Sequence, residues 1–263
     1  MKIYENYDDE PEDIFSPLPE KLYCDLYDLE MCNFPDDINF YLQKLPENCS
    51  ILELGCGTGR IATSLAAPGR AVTGIDHSLY MLKKAVSKTI SGCNYIGMDM
   101  RRLSFTIQFD AIIIPYNTLN LLYRINDITS CLTRCRSLLR KNGRIYLQLF
   151  IPDKKLTCHR GKIFQFQIFD KPEGGKIIKE ILREYSSESQ SISVEERYRI
   201  RPMKKGFDDQ NFNHFFTIAA FPVDKWTSLF LQAGLQITDS WGDYDLHPFQ
   251  PGSSTLFLAS LAI

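Results

Sequence analysis

The run Ile51-Leu52-Glu53-Leu54-Gly55-Cys56-Gly57-Thr58-Gly59-Arg60 constrains the fold more than any other part of this chain. An apolar stretch too short for a helix, residues 50–54, leads into three glycines. Residues 59–67 then read as a helix that Pro68-Gly69 stops. Glycine tolerates positive φ and lets backbone approach a ligand closely, and a helix start presents unpaired N–H groups. A strand, a glycine loop and a helix in that order open a parallel βαβ unit. The pattern continues. Residues 71–75 read as a second strand, and Ser78 caps a helix running to about Lys88. Residues 93–98 form a third strand. The unbroken apolar run 109–114 suits a strand buried on both faces. A helix over 127–140 carries Ile128, Cys131, Leu132, Cys135, Leu138 and Leu139 at apolar spacing; Asn142-Gly143 ends it, and 144–150 supplies the fifth strand.

The pattern changes after Pro152. Residues 161–170, 176–186 and 190–202 read as longer strands of alternating character, separated by Pro172-Gly174-Gly175 and Ser187-Glu188, so they predict an antiparallel layer. A helix over 222–234 and strands over 235–241 and 254–262 return to the first pattern. The expected architecture is α/β: a Rossmann-like, doubly wound, mostly parallel seven-stranded sheet whose last strand is antiparallel, with an inserted antiparallel β cap. Helical spacing over 21–45 adds N-terminal helices, and residues 1–20, acidic and proline-rich, read as a loosely held arm. The expectation is a single domain over 1–263, divided into arm and lid helices (1–46), cofactor-binding core (47–154), cap insertion (155–220) and a closing helix and hairpin (221–263).

The 263 residues are 44% hydrophobic with a formal net charge of −2. That is a globular composition, and it disfavours a nucleic-acid partner, since a protein gripping a phosphate backbone carries a basic surface. The small basic clusters, Lys83-Lys84 and Arg134, Arg136, Arg140, Lys141, read as solvated helix faces. None of the eight cysteines forms a CxxC pair, and the four histidines are scattered, so no metal site is expected. The cysteines read as reduced thiols of a cytoplasmic protein. The acidic N-terminus lacks an apolar core of the secretory type, and no segment approaches the length of a membrane span.

Two ligand chemistries suit the glycine loop. A dinucleotide fingerprint is GxGxxG, whereas here the spacing is GxGxG and Arg60 stands at the place of the third fingerprint glycine. Glu53 would repel a pyrophosphate but suits an ammonium. The loop therefore favours S-adenosylmethionine (SAM) over a nicotinamide dinucleotide. Asp76, at the end of the second strand, is positioned to accept from both hydroxyls of an adenosyl ribose; the alternative is that it only helps cap the following helix. Asp99, after the third strand, is a candidate acceptor for the adenine N6 amine. Met100 or Met81 would pack on the ring, unless each is plain core. His77 belongs beside the adenine or in solvent.

These segments resemble the successive motifs of class I SAM-dependent methyltransferases: LELGCGTGR at 52–60, GIDHS at 74–78, GMDMRRL at 97–103 and FDAIIIPYNTLNLL at 109–122. YDLE at 27–30, DDINFYLQKL at 36–45, LLRKNGRIYLQLFIPD at 138–153, REYSSESQSISVEERYRI at 183–200 and WGDYDLHPF at 241–249 resemble the bacterial small-molecule type, a loose group that includes N-methyltransferases of amino sugars. The resemblance implies Glu53, Gly55, Cys56 and Gly57 near the methionine portion of SAM, Asp76 at the ribose, and Asp99 with Met100 at the adenine. It also implies Pro115 and Tyr116 near the sulfonium and Tyr27 as a lid over the cofactor. Asn142-Gly143 replaces the usual turn before the fifth strand, a minor departure. Pro115-Tyr116-Asn117 has the wrong order for the Asn-Pro-Pro-Tyr box of enzymes that methylate planar amino groups.

Methyl transfer needs a proton acceptor only if the accepting atom carries a proton that must leave. His214 and Tyr116 are the candidate catalytic residues, with Tyr123, Tyr244 and Asp243 behind them; a histidine in the aromatic segment 211–216 is otherwise structural. The cap aromatics Phe164, Phe166, Phe169, Tyr185, Tyr198, Phe207, Phe212, Phe215 and Phe216 read mainly as packing, with a minority free to line a small apolar acceptor pocket. The expected partner is thus a small molecule methylated at N or O, with no nucleic acid or membrane. Competing readings are a non-catalytic SAM-binding protein and a nucleotide-cofactor oxidoreductase.

Overall fold

The computed structural model describes residues 3–4, 14–89, 91–203, 208–250 and 252–262. In chain order the elements are β1 (Ile3–Tyr4), β2 (Ser16–Pro17), α1 (Glu20–Met31), α2 (Asp36–Lys44), β3 (Cys49–Leu54), α3 (Arg60–Leu65), β4 (Arg70–Asp76), α4 (Leu79–Ser87), β5 (Cys93–Gly97), β6 (Phe109–Ile114), α5 (Ile125–Leu138), β7 (Leu139–Phe150), α6 (Lys154–Cys158), β8 (Ile163–Asp170), β9 (Gly175–Ser186), β10 (Ser191–Pro202), β11 (Gln210–Ala219), α7 (Val223–Gln232), β12 (Leu235–Trp241) and β13 (Thr255–Ala262). They form two compact units: 33–152 with 221–263, and 1–32 with 153–220. The units part between Cys32 and Asn33, inside the segment read from sequence as one N-terminal piece.

The larger unit holds a seven-stranded sheet in the order β12-β13-β7-β6-β3-β4-β5. Strands β3 to β7 are mutually parallel. β13 runs antiparallel between β7 and β12, one place in from the edge. Successive side chains of a strand face opposite ways, and here both faces are covered. Ile51, Ala111 and Ile113 join Phe40 and Tyr41 of α2 and Ile61, Ala62 and Leu65 of α3 in one cluster. Their strand neighbours Leu52, Leu54, Ile112 and Ile114 are equally shut off from solvent on the other face. Each such aliphatic side chain contributes roughly 1.5–3 kcal/mol on burial. Ser78 caps α4 as expected, its hydroxyl accepting the Met81 N–H at 3.2 Å.

Two boundaries differ from expectation. The helix predicted over 127–140 stops at Leu138, and β7 begins at once. Asn142, at φ 67°, takes up the turn as an irregularity within the strand: Leu139 pairs with Phe109, and the register shifts before Arg144 pairs with Ala111. The first helix is also shorter than predicted, because Gly59 lies outside it as a left-handed N-cap and Ala66 is extended.

The smaller unit is a six-stranded sheet, β1-β8-β9-β10-β11-β2. The pairs are antiparallel except for β2 along β11. β11 was not read from the sequence as a strand, since its start, Gln210-Asn211-Phe212-Asn213, is polar. Ser16–Pro17 of the supposed loose arm is a strand of this sheet. Leu26 of α1 packs with Ile177, Tyr198 and Ile200, and Leu18, Leu22, Leu29, Phe169 and Phe212 surround them. Phe164 and Tyr198 are buried as expected, whereas Phe215 is 63% exposed; Phe207 lies outside the described residues. All eight cysteines are free thiols, and no described helix is long and apolar enough to cross a membrane.

Candidate functional site

The sheet order of the larger unit reverses direction at β3, with β4 on one side and β6 on the other. In open α/β sheets the crevice beyond the strand ends at such a reversal is where ligands bind. The loops after β3 and β6 flank it. Gly55, Gly57 and Gly59 have φ of 68°, 54° and 77°, a region that costs other residues strain. A Cβ on Gly55 would stand 2.4 Å from Cγ2 of Thr118, so the two loops meet there without room for a side chain. Cys56 is buried and packs over Gly74, whose own Cβ would lie 2.8 Å from that of Cys56.

Asp76 closes the loop from the end of β4. Its Oδ2 accepts the Gly57 N–H at 2.9 Å and its Oδ1 accepts the Ser78 N–H at 2.8 Å. It therefore shares in the capping role weighed from the sequence while also holding the glycine loop. Each carboxylate oxygen keeps a second acceptor position. His77 beside it is largely exposed, with Nδ1 3.6 Å from Asp76 Oδ1.

Glu53 lies at the end of β3 and is 1% exposed. Burial pushes its carboxyl up to about 8; Arg60 opposes this, Asp37 and Asp76 add to it, and the Ala62 backbone hydrogen bond opposes it weakly. Its Oε2 is buried with no hydrogen-bond partner among the described residues. The nearby guanidinium is committed elsewhere. Arg60 donates from Nη1 to Asp37 Oδ1 at 2.8 Å and to the Phe34 carbonyl at 2.9 Å, and its Nη2 pairs with Asp37 Oδ2. Asp37, at the start of α2, is fully buried.

After β6, Pro115 is buried, while Tyr116 and Asn117 both adopt positive φ, 49° and 60°. Consecutive non-glycine residues in that region are strained and concentrate at functional sites. Asn120, fully buried, anchors the loop: its Nδ2 donates to the Phe150 carbonyl at 3.1 Å and its Oδ1 accepts the Phe150 N–H at 3.0 Å. Tyr116 is exposed and meets the Phe34 ring at 6.1 Å; Phe34 also meets Tyr244 at 5.5 Å. The Tyr244 hydroxyl donates to Gln148 Oε1 at 2.6 Å. The Asn117 Oδ1 is buried with no hydrogen-bond partner among the described residues. After β5, Met100 is half-buried and Met81, on α4, is buried. Asp99 is engaged by Arg101, with Nε–Oδ2 at 2.9 Å and Nη2–Oδ2 at 2.6 Å; these hydrogen bonds hold its carboxyl below the usual carboxylate range against a modest burial effect.

Tyr27 and His214 belong to the smaller unit. Tyr27 is half-buried on α1. His214, on β11, stacks against Tyr23 at 4.8 Å and Phe216 at 5.3 Å, with Nδ1 3.6 Å from Oε2 of Glu196. Behind it is a buried polar cluster. The Lys179 ammonium contacts Glu30 Oε2 and Glu196 Oε1, each at 2.8 Å. The Tyr198 hydroxyl lies 3.1 Å from Glu30 Oε1 and 3.2 Å from Glu196 Oε2. Burial opposes ionisation of Glu196, but His214 and Lys179 outweigh it and hold the carboxyl at about 2. Burial raises the Glu30 carboxyl despite Lys179.

Of the other candidate bases, Tyr123 is exposed under Arg124. Asp243 is held in a turn that also gathers Asp245 and His247, a grouping within five residues that the sequence reading, which expected no metal site, did not single out. Its carboxylate accepts from the Asp245 and His247 N–H groups, each at 3.0 Å, and sits 2.8 Å from His247 Nδ1. Sequence reasoning missed Asp37, Phe34, Asn117 and Asn120. Asn117 carried a usable signal, since asparagine is the residue that most readily takes a left-handed backbone after a strand.

Residues 51–143 match the family described as methyltransferase domain. YqeM of Bacillus subtilis, named a methyltransferase, is 36% identical over 126 residues, covering 46% of this chain and 51% of that protein; the match thus spans about half the length of that relative. A SAM-dependent methyltransferase from Clostridium acetobutylicum has a similar structure, with a TM-score of 0.75 at 17% identity, covering 91% of this chain and 97% of that one. CalS10, an amino pentose methyltransferase of Micromonospora echinaspora solved with SAM bound, gives 0.67 at 17% identity, covering 94% and 99%. At these identities the two structural likenesses are likenesses of fold.

Proposed function

We propose that this chain is a class I SAM-dependent methyltransferase, a reading supported by the match of residues 51–143 and the likeness to YqeM, and that it transfers a methyl group from SAM to a nitrogen or oxygen of a small-molecule acceptor. The observation that carries the reading is Glu53: a buried carboxyl with an unpartnered oxygen, at the end of the strand that leads into a loop of three positive-φ glycines. An ammonium is the missing partner of such an oxygen, and SAM carries one. The glycine loop leaves a cradle that side chains would fill, so the residues present fit this cofactor.

In this reading Glu53, Gly55, Cys56 and Gly57 hold the methionine portion. Asp76 takes the ribose hydroxyls through its second acceptor positions, and His77 flanks it. Asp99, Met81 and Met100 surround the adenine, whose amine shares the Asp99 carboxylate with Arg101. Pro115 and Tyr116 edge the sulfonium, and the strained backbone of Tyr116 and Asn117 is fixed through Asn120. SAM supplies a methyl on a positively charged sulfur, so the leaving thioether is neutral and needs no acid. What the chain contributes is alignment and exclusion of water, which account for much of such an acceleration. An acceptor that arrives as an ammonium or hydroxyl must also lose a proton. The fold likeness to an amino pentose methyltransferase supports a small amine-bearing acceptor.

Calorimetry with SAM and S-adenosylhomocysteine, with NADH as control, tests the reading. Micromolar binding of the first two and none of the third is expected, weakened by Asp76→Ala. Folded protein that binds neither adenosyl ligand would refute it.

A further inference from the structure

The turn after β6 is built around an asparagine whose side-chain oxygen the fold does not use. Asn117 stands at positive φ, and the short 3₁₀ turn Thr118–Leu121 begins at once. An asparagine in that place ordinarily accepts a backbone N–H through its side chain. Here the Asn120 N–H goes instead to the Asn117 backbone carbonyl at 2.9 Å, and the Asn117 side chain makes no capping bond. Its Oδ1 is buried with no hydrogen-bond partner among the described residues. The left-handed backbone at φ 60° favours asparagine, but glycine would serve it without stranding an oxygen. A stranded acceptor costs stability, so it calls for a reason. The position supplies one. On one side of Asn117, the Thr118 side chain presses against Gly55, where a Cβ would stand 2.4 Å from Cγ2 and 3.1 Å from the hydroxyl oxygen. On the other side, the Tyr116 ring meets Phe34, whose carbonyl binds the Arg60 guanidinium. Asn117 thus lies between the glycine loop and the aromatic edge of the crevice beyond β6, and all of these residues belong to the larger unit. The turn is held by Asn120 through its two bonds to the Phe150 backbone. The Asn117 side chain is half-buried, and a terminal amide torsion is soft. A rotation of the amide therefore presents Oδ1 to the crevice while the backbone stays in place.

We propose that Asn117 is a specificity-determining residue: its Oδ1 accepts a hydrogen bond from the acceptor nitrogen at the point of methyl transfer, which selects a neutral primary or secondary amine. This rests on the methyltransferase reading given above and deepens it by naming the class of acceptor. The nitrogen lone pair forms the new bond to the methyl carbon, while the carbon–sulfur bond breaks and its electron pair stays on sulfur. The nitrogen keeps its hydrogen and takes on the positive charge. A hydrogen bond from that N–H to Oδ1 strengthens as the charge grows, so it stabilises the transition state more than the bound amine. The amide oxygen takes no proton; the methylated ammonium gives one up to water after release. A tertiary amine or a thioether has no hydrogen to offer, leaves Oδ1 stranded and is rejected.

Sinefungin is the probe. It carries an ammonium where SAM carries the methylsulfonium, whereas S-adenosylhomocysteine carries a bare thioether there; the two share the methionine ammonium and the adenosine. Both are titrated into the full-length protein by calorimetry at pH 7. The wild type is expected to bind sinefungin about tenfold more tightly than S-adenosylhomocysteine, the measure of one charge-assisted hydrogen bond. Asn117→Gly suits the backbone at φ 60° and removes the amide. It is expected to abolish the preference for sinefungin while changing the affinity for S-adenosylhomocysteine by less than about twofold. Asn117→Asp keeps an acceptor oxygen and adds charge, so it is expected to widen the preference. A preference that survives Asn117→Gly, through equal losses for both ligands or no loss for either, overturns the inference. Should Asn117→Gly fail to fold, Asn117→Asp decides, and a preference no greater than that of the wild type overturns it. The two questions stay apart. Folded wild type that binds neither ligand refutes the methyltransferase reading, whereas binding of S-adenosylhomocysteine with no preference that depends on residue 117 removes only the role of Asn117.

Discussion

With its carboxyl pushed up to about 8, chiefly by burial, Glu53 keeps a proton through a range in which an exposed glutamate has lost it. The sign of the pH effect follows from linkage. The folded value lies above the unfolded one near 4.5, so the stabilisation from the extra bound proton is complete below pH 4.5 and is lost as pH rises through about 8. Glu53→Gln cannot ionise. The wild type should therefore lose stability relative to this variant between pH 5 and pH 8, by on the order of 4 kcal/mol. Urea unfolding of both proteins at the two pH values measures it; parallel curves would show that Glu53 titrates normally. A cation reaching Oε2 would expel the proton, so SAM binding at pH 7 should release protons to buffer in the wild type and not in Glu53→Gln. Gly55 offers a second test at this scale. Gly55→Ala incurs a left-handed backbone at φ 68° and a 2.4 Å approach to Thr118, a loss of roughly 2–3 kcal/mol. Adding Thr118→Ala should return the part due to contact but not the part due to backbone, which chemical denaturation of the single and double variants separates.

At the scale of elements, a buried pair fastens α2 to the start of α3. Asp37 is fully buried and Arg60 half-buried, and removing one member strands the other. Asp37→Ala should cost about 3 kcal/mol. Asp37→Leu combined with Arg60→Met should cost much less, and equal losses in both would mean that the charge pairing is not what holds the two helices. This pair also shows where the sequence stopped being readable. Arg60 was recognisable as an obstacle to a third glycine, a fact about local packing. Its partner, 23 residues earlier, depends on how two helices approach, and no spacing rule carries that. The strands of the larger unit were legible because parallel strands buried on both faces are unbroken apolar runs, such as 109–114. β11 was not, because its polar first half is exposed or half-buried along one ladder with β10 and takes its extended form from the partner strand. The break between α5 and β7 was misjudged because Asn142 turns the chain inside the strand and not ahead of it. Among the candidate residues, those at strand ends (Glu53, Asp76, Asp99, Pro115) could be named from the sequence because strand ends are legible there, whereas Asp37, Phe34 and Asn120, brought near by tertiary approach, could not.

At the scale of the whole chain, the division into two compact units makes cooperativity a measurable question. The smaller unit is discontinuous: residues 1–32 supply α1, and Leu26 of that helix is 4% exposed within the cluster of Ile177, Tyr198 and Ile200. Truncating a leucine so buried costs 2–5 kcal/mol, the range reflecting how far the cavity collapses. The cost falls first on the unit that contains the cavity, because local opening follows local packing. Leu26→Ala should therefore speed amide exchange in β8 to β11 by two to three orders of magnitude, from roughly 1.4 kcal/mol per factor of ten. The amides of β3, β4, β6 and β7 should keep their protection. Hydrogen exchange read by mass spectrometry distinguishes the alternatives directly. If protection falls equally in β3 and in β10, the two units open as one.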